Sequence, residues 1–107
     1  MTVAGTGASG NGSDQLFNPI SVTVDANQCV YIADLYNNRI QRWAPGACSG
    51  ECLVGCSQNT GNAPDLLYRP QSVAFDNQGA LYVSDGNQNR VQKFAILSSA
   101  GENCVDT

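Results

Sequence analysis

Histidine is absent from the 107 residues, and basic residues are few, with five Lys and Arg against nine Asp and Glu. Without histidine, the chain lacks the commonest general base and the commonest ligand for catalytic zinc or iron. The formal net charge of -4 leaves no basic surface on which nucleic-acid phosphates could release their counterions. These deficits argue against many enzyme classes and make nucleic acid a poor candidate partner.

Long apolar runs are also missing. No stretch approaches the roughly 18 consecutive apolar residues of a membrane span, so we expect no membrane association. The first ten residues, MTVAGTGASG, have neither a basic start nor an apolar run, which argues against a signal peptide within this segment. What the chain does have is 42% hydrophobic residues, 11 glycines and only 13% charged residues. This composition favours an all-β fold of short strands joined by tight turns.

The sequence consists of two similar halves. Residues 1–51 align without a gap on residues 52–102, and 17 positions are identical. The matches include Pro19 with Pro70, Asp25 with Asp76, Tyr31 with Tyr82, Asp34 with Asp85, and Arg39 with Arg90. We therefore predict one repeat at 1–51, starting with an outer strand, and a second at 52–102. We expect residues 103–107 to be the remainder of an outer strand that continues into a further blade or another chain.

Each half shows the alternation of apolar with small or polar residues that is typical of β-strands. SVTVD and SVAFD, CVYIAD and ALYVSD, and RIQRWA and RVQKFA predict three successive strands per unit. ECLVGC at residues 51–56 reads as a fourth, outer strand, and residues 1–5 and 102–105 match it by register. A four-stranded antiparallel meander that repeats along a chain is a β-propeller blade. Because about three or more repeats are needed for stability, two blades belong to something larger.

Both units resemble a known repeat. Residues 18–43 read NPISVTVDANQCVYIADLYNNRIQRW, and residues 69–94 read RPQSVAFDNQGALYVSDGNQNRVQKF. They resemble two tandem NHL repeats, whose pattern is Pro-x-[Ser/Gly]-Val-Ala-Val-Asp, then Tyr-Val-[Ala/Ser]-Asp, then Asn-x-Arg-[Ile/Val]-Gln. The resemblance covers essentially the full length, and it implies two blades of a six-bladed propeller.

The resemblance also implies a range of functions. NHL propellers serve mainly as platforms for proteins, RNA or glycans, and a minority of relatives, the amidating lyases and lactonase-like enzymes, hold a metal in the central channel. Since this chain supplies no histidine, we expect a non-catalytic binding and assembly module without a cofactor. Its expected partners are other copies of itself, further NHL repeats of a longer parent chain, proteins or glycans. The alternatives are a propeller enzyme with its metal ligands on other blades and an RNA-binding platform.

Charged and amide side chains recur where the second strand turns into the third. The group comprises Asp34, Asn38, Arg39, Asp85, Asn89 and Arg90. One interpretation is a catalytic acid/base pair or a metal site. The alternative is a structural turn, in which the carboxylate accepts hydrogen bonds from the backbone N–H groups of the turn and the arginine forms an ion pair with that carboxylate. Because the group follows the repeat, we interpret it as structural.

Two other repeating sets also have a structural interpretation. Asp25 and Asp76 enter hairpin turns, where one carboxylate per turn supplies too few oxygens for calcium. The aromatic positions could form a row for stacking sugars, but their recurrence in strands favours packing between blades. These positions are Tyr31, Tyr82, Trp43 and Phe94.

Residues that break the repeat are better candidates for binding. The turns between the second and third strands, and the loops that lead into each first strand, should gather on one face of a propeller, where recognition loops lie. The candidates on this face are Phe17, Asn18, Leu35, Tyr36, Tyr68, Arg69 and Asn87.

Cysteine usage points to an oxidising compartment. The candidates for disulfide bonds are Cys29, Cys48, Cys52, Cys56 and Cys104, and no zinc-ribbon arrangement is present. Cys48 to Cys52 is the easier bridge, because residues four apart in a regular strand lie about 13 Å apart and Cys52 to Cys56 would need a bend. Cys104 is the candidate for an intermolecular bond. Asn11 begins a glycosylation motif and Asn27 its rare cysteine variant, so we expect an extracellular glycoprotein.

Overall fold

The computed structural model describes residues 1–57 and 66–95. The strands are β1 (Pro19–Val24), β2 (Val30–Asp34), β3 (Arg39–Trp43), β4 (Glu51–Val54), β5 (Pro70–Phe75), β6 (Leu81–Asp85) and β7 (Arg90–Phe94). Short 3-10 turns at Leu35–Asn37 and Gly86–Gln88 follow β2 and β6. The described residues contain no α-helix, and therefore no helix that could span a membrane.

The strands form two antiparallel sheets. The first sheet has the order β1-β2-β3-β4, and the second has the order β5-β6-β7. Both sheets begin in the same way, with a proline and a shift of register between that proline and the serine two residues on. Proline suits the first position of a strand because it has no N–H to donate to the ladder. The predicted all-β fold of propeller blades is confirmed.

The hydrophobic core lies between the two sheets. The buried side chains of this cluster are Cys29, Tyr31, Ala33, Ile40 and Val54 on one side and Leu67, Val73, Leu81 and Val83 on the other. The rings of Tyr31 and Phe75 meet edge to face, with their centroids 4.7 Å apart. Ser21 Oγ also accepts a hydrogen bond from the Val73 backbone N–H at 3.3 Å. The two blades therefore pack face against face.

Repeat-equivalent side chains differ in burial between the blades. Val73, which packs against the first blade, is 6% exposed, whereas its equivalent Val22 is 59% exposed. Conversely, Ile40 is fully buried against the second blade, whereas its equivalent Val91 is 68% exposed. We call the side of a blade that carries Val22 or Val73 its leading face, and the side that carries Ile40 or Val91 its trailing face. Within the described residues, one leading face packs on one trailing face, and one of each stays open.

The outer strand of the first blade follows its third strand in the chain. β4 pairs with the outer edge of β3, so this sheet runs past the repeat boundary at residue 51 to Val54. Residues 1–5, predicted to be an outer strand at the start of the first unit, form no strand. Within this chain β4 occupies the outer edge of β3, so pairing of residues 1–5 with another blade stays a prediction. Val3 instead lines a groove beside Val22. The corresponding residues 102–105 lie outside the described residues.

Candidate binding face

A buried carboxylate organises the turn between β2 and β3. Asp34 ends β2 and is fully buried. Its Oδ1 accepts a hydrogen bond from the Phe17 backbone N–H at 2.6 Å, and its Oδ2 accepts from Asn37 Nδ2 and Arg39 Nε, both at 2.8 Å. The guanidinium of Arg39 also donates to the backbone carbonyls of Asn11, Gly12 and Gln15. The ion pair therefore ties the turn to the loop that leads into β1.

The second blade repeats this arrangement. Asp85 Oδ1 accepts from the Tyr68 N–H at 2.7 Å, and Asp85 Oδ2 accepts from Arg90 Nε at 2.9 Å. Arg90 also donates to the carbonyl of Leu66 at 2.9 Å. The side chain of Arg90 is 26% exposed, against 5% for Arg39. In both blades the carboxylate is engaged by backbone and arginine donors, which favours the structural interpretation over acid/base chemistry.

Each of these turns ends on an asparagine with left-handed backbone. Asn38 has φ +53° and Asn89 has φ +54°, a region that asparagine tolerates better than most residues. Asn38 Oδ1 accepts a hydrogen bond from the Arg69 backbone N–H at 2.8 Å. Arg69 is itself left-handed, with φ +56°, as is its repeat equivalent Asn18, with φ +59°. Asn38 thus joins the turn of the first blade to the loop that enters the second.

Three aromatic rings and one cation meet where the two blades join. The rings of Phe17 and Tyr36 are edge to face, with their centroids 5.3 Å apart. The guanidinium carbon of Arg69 lies 5.4 Å from the ring centroid of Tyr36 and 5.7 Å from that of Tyr68. Both distances lie within the range of a cation–π contact. We call these four residues the junction patch.

Burial separates the remaining candidates for the binding face. Asn18 and Asn87 are exposed. Their backbones join the turns to the preceding loops, since the Leu35 N–H donates to the Asn18 carbonyl and the Asn87 N–H donates to the Tyr68 carbonyl. The structure corrects the assignment of Leu35 to the binding face, because its side chain is only 7% exposed and cannot meet a ligand. An apolar side chain at the first position of this turn is buried while its neighbour Tyr36 points outward.

The hairpin aspartates are surrounded by hydrogen-bond donors. Asp25 accepts from the backbone N–H groups of Asn27 and Cys29 and from the Tyr31 hydroxyl. Asp76 accepts from the equivalent groups, and the N–H groups of Ala80 and Gln78 are the main reason that its pKa is lowered. A calcium site needs several converging oxygens, whereas these carboxylates face donors. The contacts favour Asx turns.

The repeating aromatic residues lie in or beside the core. Tyr31 is buried between the blades, and burial raises the pKa of its hydroxyl. Trp43 is buried and donates from Nε1 to Gln41 Oε1 at 2.8 Å. Phe94 packs against the core cluster, and Tyr82 is half-buried on the open trailing face. These placements favour packing over a row of stacked sugars.

The disulfide lies at a position that strand geometry made unfavourable. Cys52 and Cys56 are bonded, with their Cα atoms 5.7 Å apart, and Cys48 is an exposed free thiol. The preference for Cys48 to Cys52 was therefore wrong. β4 ends at Val54 and the chain turns at Gly55, whose φ of +76° supplies the necessary bend. Cys29 is buried and disulfide-bonded, whereas Cys104 lies outside the described residues.

Sequence reasoning missed one polar residue of the turn. Asn37 is buried and donates from Nδ2 both to the Gly10 carbonyl and to Asp34. Its repeat equivalent is Gln88, so the departure from the repeat was the available signal. Residues 1–57 and 66–95 hold no group of three or more His, Cys, Asp or Glu that could bind a metal ion.

Comparison with known proteins identifies the second blade. Residues 67–94 match the family model of the NHL repeat, and no curated protein matches the chain. The matched segment spans β5, β6 and β7 together with the turn that holds Asp85 and Arg90. The first blade carries the same contacts at its equivalent positions, Asp34 and Arg39. The second blade is therefore an NHL repeat, and the two antiparallel sheets of the described residues are consistent with β-propeller blades.

Proposed function

We propose that this chain is a non-catalytic, extracellular interaction module that assembles by stacking its blades head to tail. The blades it joins belong to other copies of itself or to further NHL repeats of a longer parent chain. One observation carries the proposal: each open face is the repeat equivalent of a face that is buried within the chain. Val22 is exposed where Val73 is buried, and Val91 is exposed where Ile40 is buried.

The open faces are costly to leave in water. Ile20, Val22 and Val24 on the leading face are 46%, 59% and 52% exposed, and they form one row along β1. Full burial of an aliphatic side chain stabilises by about 1.5–3 kcal/mol. Soluble monomers rarely expose contiguous apolar surface of this kind unless it is used for binding. The open trailing face, which carries Val91 at the position of the buried Ile40, supplies the complementary surface.

The contact is heterologous, because a leading face meets a trailing face. Such contacts close into a ring when the rotation permits and otherwise continue as a filament. Three chains of two blades would give the six blades that the resemblance implies, and a longer parent chain would achieve the same covalently. Within the described residues, β7 pairs only with β6. Residues 1–5 of a neighbouring copy are the repeat equivalents of residues 52–56, so they could add to that edge.

The disulfide supports an extracellular location. Cys52 and Cys56 form a disulfide bond. Such bonds form and persist in oxidising compartments and are rare where thiols are kept reduced. Asn11, the glycosylation candidate, is exposed in the loop that leads into β1. Mass spectrometry of the protein secreted by eukaryotic cells should find an intact Cys52–Cys56 bond and a glycan on Asn11.

Complementation between two variants tests the assembly. Val22→Asp places a charge on the leading face, and Val91→Asp does so on the trailing face. Each variant alone should remain a monomer of 11.3 kDa, whereas the unchanged chain should form larger species. A mixture should form a dimer and nothing larger, since the intact trailing face of the first variant fits the intact leading face of the second.

Light scattering during size exclusion gives the masses, with Ala26→Asp as a control that adds the same charge at an exposed hairpin turn. A folded monomer of the unchanged chain at micromolar concentration would contradict the proposal. Failure of the mixture to dimerise, when each variant retains its circular dichroism spectrum, would show that the contact is not head to tail.

A further inference from the structure

We propose that the junction patch of Phe17, Tyr36, Tyr68 and Arg69 binds a carboxylate of an acidic peptide. The cation of the patch differs from the other arginines of the chain. Arg39, Arg42 and Arg90 each form an ion pair with an aspartate or glutamate. Arg69 is exposed and forms no ion pair with any residue in 1–57 or 66–95.

The backbone of Arg69 is fixed in advance. Its N–H is held by Asn38 Oδ1 at 2.8 Å, and its φ of +56° is that of a left-handed residue inside a hydrogen-bonded loop. The Tyr36 N–H donates to the Phe17 carbonyl at 3.1 Å, which holds the adjoining turn against the same loop. A ligand that pairs with this cation therefore orders few additional backbone torsions, and preorganisation of this kind lowers the entropic cost of binding.

The rings of the patch determine how the guanidinium is presented. Contacts with Tyr36 and Tyr68 at 5.4 and 5.7 Å hold the flat cation beside two aromatic surfaces. Arginine presents a planar fork of N–H donors that matches both oxygens of a carboxylate. Phe17 and Tyr36 are 42% and 46% exposed, and they offer apolar surface beside the cation. The patch therefore suits a carboxylate with an apolar side chain next to it, as in a peptide.

Charge selects a carboxylate over a phosphate. Arg69 brings a single positive charge, which balances one carboxylate, whereas a phosphate monoester carries about -1.5 to -2 at neutral pH. The formal net charge of the chain, -4, opposes any further negative charge. A phosphorylated ligand would therefore carry charge that this patch leaves uncompensated.

The repeat supplies variants that preserve the fold. Asn18 occupies the position equivalent to Arg69 with φ +59°, so Arg69→Asn keeps a residue that tolerates this backbone. Asn87 is the equivalent of Tyr36, so Tyr36→Asn converts the turn to its counterpart in the second blade. Lys93→Gln is the matched control, because it removes one exposed cation that also lies over a tyrosine ring, 5.8 Å from the centroid of Tyr82.

The experiment is a titration of the labelled chain with capped peptides of the sequences Gly-Glu-Leu-Gly and Gly-Gln-Leu-Gly, followed by the amide resonances of Tyr36 and Arg69. The Glu peptide should shift these resonances and bind at least tenfold more tightly than the Gln peptide. Arg69→Asn should abolish that preference, Tyr36→Asn should weaken binding, and Lys93→Gln should leave binding unchanged.

Equal binding of the two peptides, or an unchanged preference in Arg69→Asn, would overturn the proposal. Tighter binding of inorganic phosphate than of the Glu peptide at the same resonances would replace it with an anion site of another class. The titration is repeated on the Val22→Asp variant, which should bind the Glu peptide as a monomer. Loss of assembly and loss of peptide binding are thereby measured independently.

Discussion

Replacing Asp34 by alanine should destabilise the chain more than replacing its repeat equivalent Asp85. Both carboxylates pair with an arginine and accept a backbone N–H, but their surroundings differ. Asp34→Ala leaves the guanidinium of Arg39 with only 5% of its side chain exposed and without its counterion. Removal of one partner from a buried ion pair costs about 3–5 kcal/mol, since the remaining charge stays desolvated.

The second blade sets the scale for comparison. Asp85→Ala leaves Arg90 with 26% of its side chain exposed, so water can solvate part of the released charge. The expected loss is about 1–3 kcal/mol, the usual cost of a polar group that loses its buried partner. For a domain with about 5–15 kcal/mol of total stability, the two losses should be clearly separable.

Urea unfolding at one fixed protein concentration measures both free energies, because assembly would otherwise change the apparent stability. Asp34→Asn, which keeps a hydrogen-bond acceptor but not the charge, should fall between the unchanged chain and Asp34→Ala. Equal losses for the two alanine variants would refute the link between burial and cost. Full stability in Asp85→Ala, together with loss of a metal-dependent activity, would show that the aspartates serve chemistry instead.

Three further perturbations test local features of the blades. Gly55→Ala should cost more than 1 kcal/mol of unfolding free energy in a urea titration, because its Cβ would lie 2.1 Å from the carbonyl oxygen of Asn38. Gly46→Ala, with a similar φ of +74° and no atom within 4 Å of the added Cβ, should cost less, and equal losses would contradict the steric argument. The pKa of Asp76 is lowered in the folded chain, so the ionised carboxylate stabilises the unchanged chain relative to Asp76→Asn. This difference in unfolding free energy should be constant well above pH 3.8 and should shrink as the pH falls below it. Unfolding measured across a series of acidic pH values will detect the change. A difference that grew on acidification would show that the sign is wrong. Reduction of Cys52–Cys56 should lower the unfolding free energy by about 2 kcal/mol, the entropic value for so short a loop, whereas a thiol reagent should label Cys48 before any reduction. Labelling of Cys52 in the unreduced protein would contradict the assigned bond.

The repeat made the strands and their pairing predictable. Alternation in residues 21–25 and 72–76 fixes which side chains share a face, and two matching copies reduce the chance of a wrong register. The burial of Tyr31 and the pairing of Asp34 with Arg39 follow from positions that recur in both units. Residues that the repeat constrains are thus the ones for which local sequence carries most of the information.

The errors arose where tertiary context decides. Leu35 breaks the repeat as a binding residue should, yet the core takes up its side chain. The bond between Cys52 and Cys56 required a bend at Gly55, and the glycine between the two cysteines was the signal for it.

The junction patch and the open faces together fix how many peptide sites an assembly would carry. At a junction between two copies, the residues equivalent to Arg69 and Tyr36 are Asn18 of one copy and Asn87 of the next. Neither amide carries a charge or a ring, so that junction should not bind a carboxylate. Stacked copies would therefore present one site for every two blades, and a multivalent acidic partner would gain avidity only when its segments span that distance. Titration to saturation should give one peptide per 11.3 kDa chain in both monomer and assembly, and two per chain would show that the repeat positions bind as well.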